Sequence, residues 1–244
     1  YKMTRVAMWS GPRSISTALM RSFENRPDTF VSDEPFYAHY LYKTGIDHPY
    51  REEVMAGGNT DWNSVADEII GPVPEGKDIW YQKHMAQHNL PGKDMAWMKK
   101  MQNILLIRHP REVILSYTKK YDITSITQLG YPQQRALFTL LKNNSSGMPL
   151  ILDARDVLEN PEGMLKSLCK RIAIPFYKEM LSWSAGRRES DGIWGNHWYA
   201  SVEASTGFQE YAENNEIIAD KQEELYKNCM EYYQQLYQHR MRVL

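Results

Sequence analysis

The sequence feature that most constrains the fold is the uninterrupted apolar run inside residues 103–108 (NILLIR). A strand without polar alternation must be covered on both faces, which is typical of the centre of a parallel sheet. Segments with helical spacing alternate with four further short strand candidates, at 6–9, 29–32, 78–85 and 150–152. Strands that alternate with helices predict an α/β fold, a three-layer sandwich with a central parallel sheet of about five strands.

The helical pattern, with apolar residues three and four positions apart, predicts where the helices lie. We expect helices at 14–25, 111–121, 132–142, 161–172 and 215–241, and two more within 48–70, separated by Gly57 and Gly58. Residues 187–209 show no clean period and are predicted to form a long ordered loop. These elements predict a single domain over residues 1–244, with a core at about 5–176 and a C-terminal loop and long helix at 177–244.

Composition excludes several classes of protein. The formal net charge is -1, with both signs mixed along the chain, which argues against a nucleic-acid-binding or membrane-surface protein. The two cysteines, Cys169 and Cys229, lie far apart and form no CxxC pair, so neither a disulfide framework nor a metal site is predicted. Few cysteines, and no long apolar run, favour a cytoplasmic location.

The first candidate site is the segment 10–17 (SGPRSIST), which lies between a predicted strand and a predicted helix. Free N–H groups at a helix N-terminus, with hydroxyls and a cation nearby, form a cradle for an anion. Arg13 would supply the charge, and Ser14, Ser16 and Thr17 would supply hydrogen-bond donors. An ordinary N-capped helix explains the same hydroxyls. The loop lacks the Gly-Lys-Ser/Thr ending of a Walker A motif.

The second candidate site is the segment 108–116 (RHPREVILS). Arg108 ends the central strand, and Ser116 lies about two turns into the following helix. In a parallel α/β sheet, ligands bind beyond the carboxyl ends of the strands, so Arg108 is placed to contact one. A structural ion pair is the alternative role for this arginine.

Together these segments resemble the sulfotransferases that use 3'-phosphoadenosine-5'-phosphosulfate (PAPS). The pattern Pro-Arg-Ser-x-Ser-Thr is similar to their 5'-phosphosulfate loop, and Arg-x-Pro-Arg-x-x-x-x-Ser is similar to their 3'-phosphate motif. The segment 152–175, which ends in Ile-Ala-Ile-Pro, resembles a late strand–loop–helix unit of the same family. Many members carry Gly where Ile15 stands, so the loop is expected to be altered in a divergent branch.

The resemblance implies a P-loop-like fold and sulfuryl transfer from PAPS, as co-substrate, to a hydroxyl or amine of a small-molecule acceptor. It assigns Arg13, Ser14, Ser16 and Thr17 to the 5'-phosphosulfate. Arg108 and Ser116 are assigned to the 3'-phosphate. No metal is implied, and neither the acceptor nor the oligomeric state follows from the sequence.

An acceptor must lose a proton during transfer, and a side chain in the crevice can take it. Glu34, just after the second strand, resembles the base of several sulfotransferase branches, and the following Pro35 is expected to hold it in an extended conformation. Lys83 and His84 resemble the Lys-x-His segment of others, in which Lys stabilises the leaving phosphate, but here no residue separates them. Adjacent side chains on a strand face opposite ways, so only one can reach the crevice. Glu34 is favoured narrowly over His84, and His88 is the next candidate.

Two questions stay open at this level. Arg187 and Arg188, in the late loop, either close over the 3'-phosphate or belong to a packed surface loop. The aromatic residues of the same loop either cover the acceptor or anchor that loop, and the anchor is favoured: Trp194, Trp198 and Tyr199. The activity also has two rivals: a small-molecule kinase of the P-loop type, which needs a lysine where Arg13 stands, and a non-catalytic nucleotide-binding domain.

Overall fold

The computed structural model, which describes residues 3–144 and 148–244, is an α/β fold around one five-stranded parallel sheet. The strands are β1 (Thr4–Ser10), β2 (Thr29–Asp33), β3 (Ile79–Met85), β4 (Gln102–Ile107) and β5 (Leu150–Asp153). Their order across the sheet is β2-β3-β1-β4-β5, and every pairing is parallel. The predicted fold class and strand number are confirmed.

The helices cover both faces of this sheet. They are α1 (Ser16–Glu24), α2 (Tyr37–Thr44), α3 (Arg51–Gly57), α4 (Trp62–Ile69), α5 (Pro110–Tyr117), α6 (Tyr131–Asn144), α7 (Ala154–Glu159), α8 (Pro161–Arg171), α9 (Gly195–Trp198), α10 (Ala200–Glu203) and α11 (Glu223–Tyr237). Short 3-10 turns lie at Pro74–Gly76, Ala86–His88, Ala96–Lys100, Ile126–Leu129, Lys178–Leu181 and Asp220–Gln222.

The core divides into two layers because successive side chains of a strand point to opposite faces. Leu105 and Ile107 of β4 pack into a cluster that includes residues of α5, α6 and α11. Ile104 and Leu106 pack on the other face against residues of α1 and α8. All four are at most 1% exposed, which explains why this strand is apolar without alternation.

Several predicted helix boundaries were wrong, among them both ends of the last helix, which ends at Tyr237 rather than at 241. Helix α1 begins at Ser16 rather than at residue 14, because Arg13 and Ile15 adopt left-handed backbone angles. Helix α5 ends at Tyr117 rather than at 121, and the hydroxyl of Thr118 bonds back to the carbonyl of Ile114. Such local side-chain bonds compete with helix continuation.

The last helix is also shorter than predicted, since α11 begins at Glu223 rather than at residue 215. Asn214 accepts a hydrogen bond from the backbone N–H of Glu216, a local turn that competes with helix formation. Ile217, which the helical pattern counts as apolar, is 88% exposed and packs on no core cluster. Within the segment expected to be a loop, the structure instead forms the short helices α9 and α10.

The structure also contains a helix that the sequence analysis missed, α2, directly after β2. It buries Tyr37, Tyr40 and Leu41, so its apolar stripe faces the protein. Across the described ranges 3–144 and 148–244, no helix combines the length and the apolar character needed to cross a membrane.

Candidate functional site

A cavity of about 780 Å³ lies beyond the carboxyl ends of the strands. This is where an open parallel sheet presents ligand-binding groups. Eight of the nine predicted site residues line it: Arg13, Ser14, Ser16, Thr17, Glu34, Lys83, Arg108 and Ser116. The exception is His84. Four different strand ends therefore contribute to one cavity, as the order of the strands requires.

The loop after β1 forms a backbone turn of unusual geometry. Arg13 and Ile15 have φ angles of 59° and 57°, a region that costs an L-residue roughly 1–2 kcal/mol. Ile15 occupies the N-cap position of α1 and caps no N–H with its side chain. The N–H groups of the first turn of a helix have no partner within the helix. This geometry supports an anion cradle over the alternative of an ordinary side-chain-capped helix.

Two arginines and a serine meet beside this loop. The Nε of Arg13 donates to the Oγ of Ser116 at 2.9 Å, and a terminal N of Arg108 donates to the carbonyl of Arg13 at 2.6 Å. Arg108 also lies 3.3 Å from a carboxylate oxygen of Glu112. Burial and the positive charge of Arg108 lower the pKa of Arg13. Arg108 is paired with a carboxylate, whereas Arg13 forms no ion pair among the described residues, so the excess of positive charge there suits an anion.

On the other side of β1, the ends of β2 and β3 carry a buried charged cluster. The Nζ of Lys83 lies 2.7 Å from Oε1 of Glu34, 3.1 Å from Oδ1 of Asp33 and 2.5 Å from the hydroxyl of Tyr199. Lys83 is 2% exposed and Glu34 is 9% exposed. A lysine at this depth requires such partners, because an unpaired buried charge is costly.

Glu34 has a φ angle of 49°, although the following Pro35 was expected to hold it in an extended conformation. That expectation was wrong. Two backbone bonds create the turn: the N–H of Glu34 donates to Lys83 and its carbonyl accepts from Tyr37. The cavity therefore contains three strained non-glycine residues, Arg13, Ile15 and Glu34, and such strain clusters at functional sites.

The electrostatics of the cluster favour proton exchange. Burial raises the pKa of Glu34, and the charge of Lys83 opposes that rise without cancelling it. Burial also opposes the charged form of Lys83, but Asp33 and Glu34 together raise its pKa. With Lys83 protonated and both carboxylates ionised, the cluster carries one net negative charge, so it can accept a proton.

His84 points away from this cluster into the core. Its ring stacks on Trp9 at 4.5 Å between centroids, and its Nε2 lies 3.0 Å from Oε1 of Gln82. Burial lowers its pKa to about 3, so it is neutral at physiological pH. Because side chains alternate along β3, Lys83 faces the cavity and its neighbour His84 faces the core.

His88 does line the cavity, just after β3. It stacks against Tyr37 and Tyr40, with 4.7 Å between ring centroids in each case. Burial and nearby positive charge, including that of Lys83, lower its pKa well below the usual range for histidine. A histidine with so low a pKa is a weak base, so His88 is a poorer candidate for the general base than Glu34.

The late segment contributes aromatic residues to the cavity and not its basic pair, whose role the sequence left open. Trp194, Trp198 and Tyr199 line it, whereas Arg187 and Arg188 do not. Arg188 instead lies 3.9 Å from a carboxylate oxygen of Glu24.

Sequence reasoning missed the contact of Tyr199 with the charged cluster and the supporting role of Asp33. Asp33 stands beside Glu34 in the sequence, where its position at a strand end was the available signal. Tyr199 is 166 positions from Asp33, and no local pattern marks it.

A five-stranded parallel sheet, covered by helices on both faces and with a cavity at its strand ends, defines an open-sheet α/β protein. The chain matches the family model described as "Sulfotransferase domain" over residues 4–240. It therefore belongs to the sulfotransferase domain family.

Solved structures show the same fold at low sequence identity. The sulfotransferase domain from the curacin biosynthetic pathway superposes with a TM-score of 0.54 at 13% identity, covering 97% of this chain and 99% of that one. A sulfotransferase from Alicyclobacillus acidocaldarius gives a TM-score of 0.54 at 11% identity, with 99% and 98% coverage.

Two plant proteins whose names refer to aminotransferases are also similar to the chain. The branched-chain-amino-acid aminotransferase-like protein 2 of Arabidopsis thaliana is 34% identical over 231 residues, which cover 95% of this chain and 41% of that protein. The corresponding protein 1 is 38% identical over 200 residues, covering 82% and 36%. The chain thus spans about two fifths of the length of these relatives.

Within residues 3–144 and 148–244, no three residues of the types His, Cys, Asp and Glu are grouped so that they could hold a metal ion.

Proposed function

We propose that the chain transfers a sulfuryl group from PAPS to a hydroxyl or amine of a small-molecule acceptor. The observation that carries this proposal is one cavity that contains both the arginine pair, Arg13 and Arg108, and the buried Glu34–Lys83 pair. The first pair suits a polyanionic donor, and the second suits removal of a proton from an acceptor.

The donor fits the groups present. The first-turn N–H groups of α1, the hydroxyls of Ser14, Ser16 and Thr17, and Arg13 would hold the 5'-phosphosulfate. Arg108 and Ser116 would hold the 3'-phosphate. Both lie next to Arg13: Arg108 donates to its backbone carbonyl, and Ser116 accepts from its side chain. The cavity of about 780 Å³ also falls within the usual range for ligand sites, roughly 300–1,000 Å³.

In the proposed mechanism, Glu34 acts as general base through Oε2, because Lys83 holds Oε1. Glu34 takes the acceptor proton while the acceptor atom bonds to sulfur and the bond from sulfur to the 5'-phosphate breaks. Arg13 stabilises the charge that develops on the departing phosphate. Lys83 uses its three hydrogens on Asp33, Glu34 and Tyr199, so its role is to hold the base rather than to bind that phosphate.

The test is a calorimetric titration with adenosine 3',5'-bisphosphate, adenosine 5'-phosphate and ATP. We expect Arg108→Ala to weaken binding of the bisphosphate about ten- to a hundredfold, and binding of the monophosphate far less, since a charge-assisted contact is worth roughly 1.5–3 kcal/mol. Ser116→Ala should act in the same direction but less strongly. Equal weakening of both nucleotides would contradict the assignment of Arg108 to the 3'-phosphate.

Arg111→Ala is the matched control, because Arg111 lies on α5 three residues after Arg108, does not line the cavity, and donates to the carbonyl of Glu216. Tighter binding of ATP than of the bisphosphate would favour the kinase. Binding of the bisphosphate without turnover of PAPS with any hydroxyl or amine compound would favour a non-catalytic domain.

The proposal also places the chain in the cytoplasm and treats it as one functional unit. Cys169 and Cys229 are free thiols buried in the core, in keeping with a reducing compartment. Helix α11 adds Cys229, Tyr233 and Leu236 to the same core cluster as Leu105 of β4.

A further inference from the structure

Tyr199 ties the late part of the chain to the carboxylate cluster. Its hydroxyl lies 2.7 Å and 2.9 Å from the two carboxylate oxygens of Asp33 and 3.4 Å from Oε1 of Glu34. The indole N–H of Trp194 donates to the same hydroxyl at 3.1 Å. The ammonium of Lys83 also lies 4.7 Å from the centre of the tyrosine ring. Tyr199 is 5% exposed, so these contacts form away from water.

Counting hydrogens shows that the arrangement is saturated. A tyrosine hydroxyl has one hydrogen to donate, here to Asp33, and it accepts here from Lys83 and Trp194. Lys83 has three hydrogens, which go to Asp33, Glu34 and Tyr199. Removing the hydroxyl therefore frees one lysine hydrogen and leaves a lone pair of Asp33 unfilled. The position of Lys83 against Glu34 depends on this third contact.

The cluster also anchors the segment that carries Tyr199. Arg21 of α1 binds both carboxylate oxygens of Asp191 at 2.6 Å, and the N–H of Gly192 donates to Asp33 at 3.1 Å. Gly195 lets the tyrosine approach, because a Cβ atom there would lie 2.8 Å from Cδ2 of Tyr199. Residues 191–199 are thus held over the ends of β2 and β3 by buried polar contacts.

We propose that Tyr199 is a positioning residue that fixes Lys83 on Oε1 of Glu34 and leaves Oε2 as the oxygen that meets the acceptor. Among the residues that the structure describes, Oε2 has no hydrogen-bond partner, and Glu34 lines the cavity. This inference rests on the proposed role of Glu34 as the base. It adds a residue outside the sequence motifs to the machinery and connects the late segment to the proton transfer.

The test measures the titration of the Glu34 carboxyl directly, by carbon NMR of protein labelled on glutamate side chains. The resonance is assigned by its loss in Glu34→Gln. Burial raises the pKa of Glu34, and the charge and hydrogen bond of Lys83, which Tyr199 holds in place, oppose that rise. We therefore expect Tyr199→Phe, which keeps the ring, to move the Glu34 titration to higher pH while the affinity for adenosine 3',5'-bisphosphate stays unchanged.

The matched control is Tyr81→Phe, because Tyr81 is a buried tyrosine of β3 whose hydroxyl has no partner within the described residues. It should leave the titration of Glu34 where it is. Gly195→Ala provides a second variant that displaces the tyrosine ring without removing a polar group, and it should move the titration in the same direction as Tyr199→Phe. An unmoved Glu34 titration in a folded Tyr199→Phe protein overturns the inference. Failure of the wild-type protein to bind the bisphosphate instead overturns the proposed function.

Discussion

At the scale of single residues, the pleat of β3 decides which groups meet a ligand. Lys83 and His84 are neighbours in the chain, yet one contacts the carboxylates of the cavity and the other stacks on Trp9 in the core. Any residue at an even offset from Lys83 on this strand shares its side of the sheet. A search for catalytic groups in such a strand can therefore discard every second position before any comparison of chemistry.

Replacing Glu34 tests the assignment of the base. We expect Glu34→Gln to slow the chemical step by about a hundredfold or more, because general-base catalysis is worth roughly 10²–10⁴. Nucleotide affinity should stay close to that of the wild type, since the amide occupies the same volume. The measurement is single-turnover transfer from saturating PAPS to an acceptor found by screening hydroxyl and amine compounds. A full rate in Glu34→Gln, together with a slow His88→Ala protein, would make His88 the base.

Arg13 provides a second prediction at this scale. Arg13→Ala should abolish transfer while the protein stays folded, because in the proposed mechanism its guanidinium stabilises the charge that develops on the leaving phosphate. Arg13→Lys should retain part of the activity, since a point charge survives although the forked geometry is lost. Transfer assays and thermal unfolding are measured on both variants. A large fall in unfolding temperature for Arg13→Ala would show that the residue supports the loop structure instead.

The residues that sequence could supply share one property. Arg13, Arg108 and Ser116 stand in short local patterns next to a strand end, so spacing along the chain already brings them to the same edge of the sheet. Tyr199 has no such pattern, because its position depends on how a distant segment packs. The left-handed angle of Glu34 was also out of reach, since the proline rule predicts the opposite and tertiary contacts override it.

At the scale of elements, the apolar runs of the sequence predicted the five strands, but they predicted neither α2 nor the structure of the late segment. Helix α2 is short, and three of its five buried residues are two tyrosines and a histidine, which a count of aliphatic positions overlooks. The late segment has no period because its order comes from buried polar contacts rather than from an apolar face. Hydrophobic periodicity detects only elements that pack by an apolar stripe.

The Arg21–Asp191 pair tests how firmly that segment is held. Both side chains are at most 1% exposed. We expect Arg21→Met to lower the free energy of unfolding by about 3–5 kcal/mol, because it leaves the Asp191 carboxylate buried without its partner. The double variant Arg21→Met, Asp191→Leu should regain much of this loss. Urea unfolding measures both, and a single variant as stable as the wild type would show that the pair does not anchor the segment.

At the scale of the whole molecule, buried neutral histidines make stability depend on pH. The pKa of His84 is lowered by burial to about 3 in the folded state, below its ordinary value of 6.5. The unfolded chain therefore binds this proton first as pH falls, so the stabilisation is complete above about pH 6.5 and is lost progressively below it. The loss approaches about 1.4 kcal/mol per pH unit for one such group.

Replacing His84 by Phe should reduce the loss of stability at acid pH. The ring would still stack on Trp9, and no proton would be gained on unfolding. The free energy of unfolding, measured with urea from neutral pH down to about pH 4, should fall less steeply in His84→Phe than in the wild type. His239→Gln serves as the control, because His239 lies exposed at the C-terminal end of α11. Parallel slopes for wild type and His84→Phe would contradict the burial effect.

The central position of β1 has a consequence for how proteins of this kind can diversify. β3 and β2 lie on one side of β1, and β4 and β5 lie on the other. The proposed base comes from the first side, and Arg108 and Ser116 come from the second, so the two functions occupy separate stretches of gene. Mutations, insertions or recombination within residues 34–78 would reshape the surroundings of Glu34 and leave both arginines untouched. Under the proposed function, new acceptors can therefore be acquired in evolution, or in the laboratory, without rebuilding the segments proposed to bind the nucleotide.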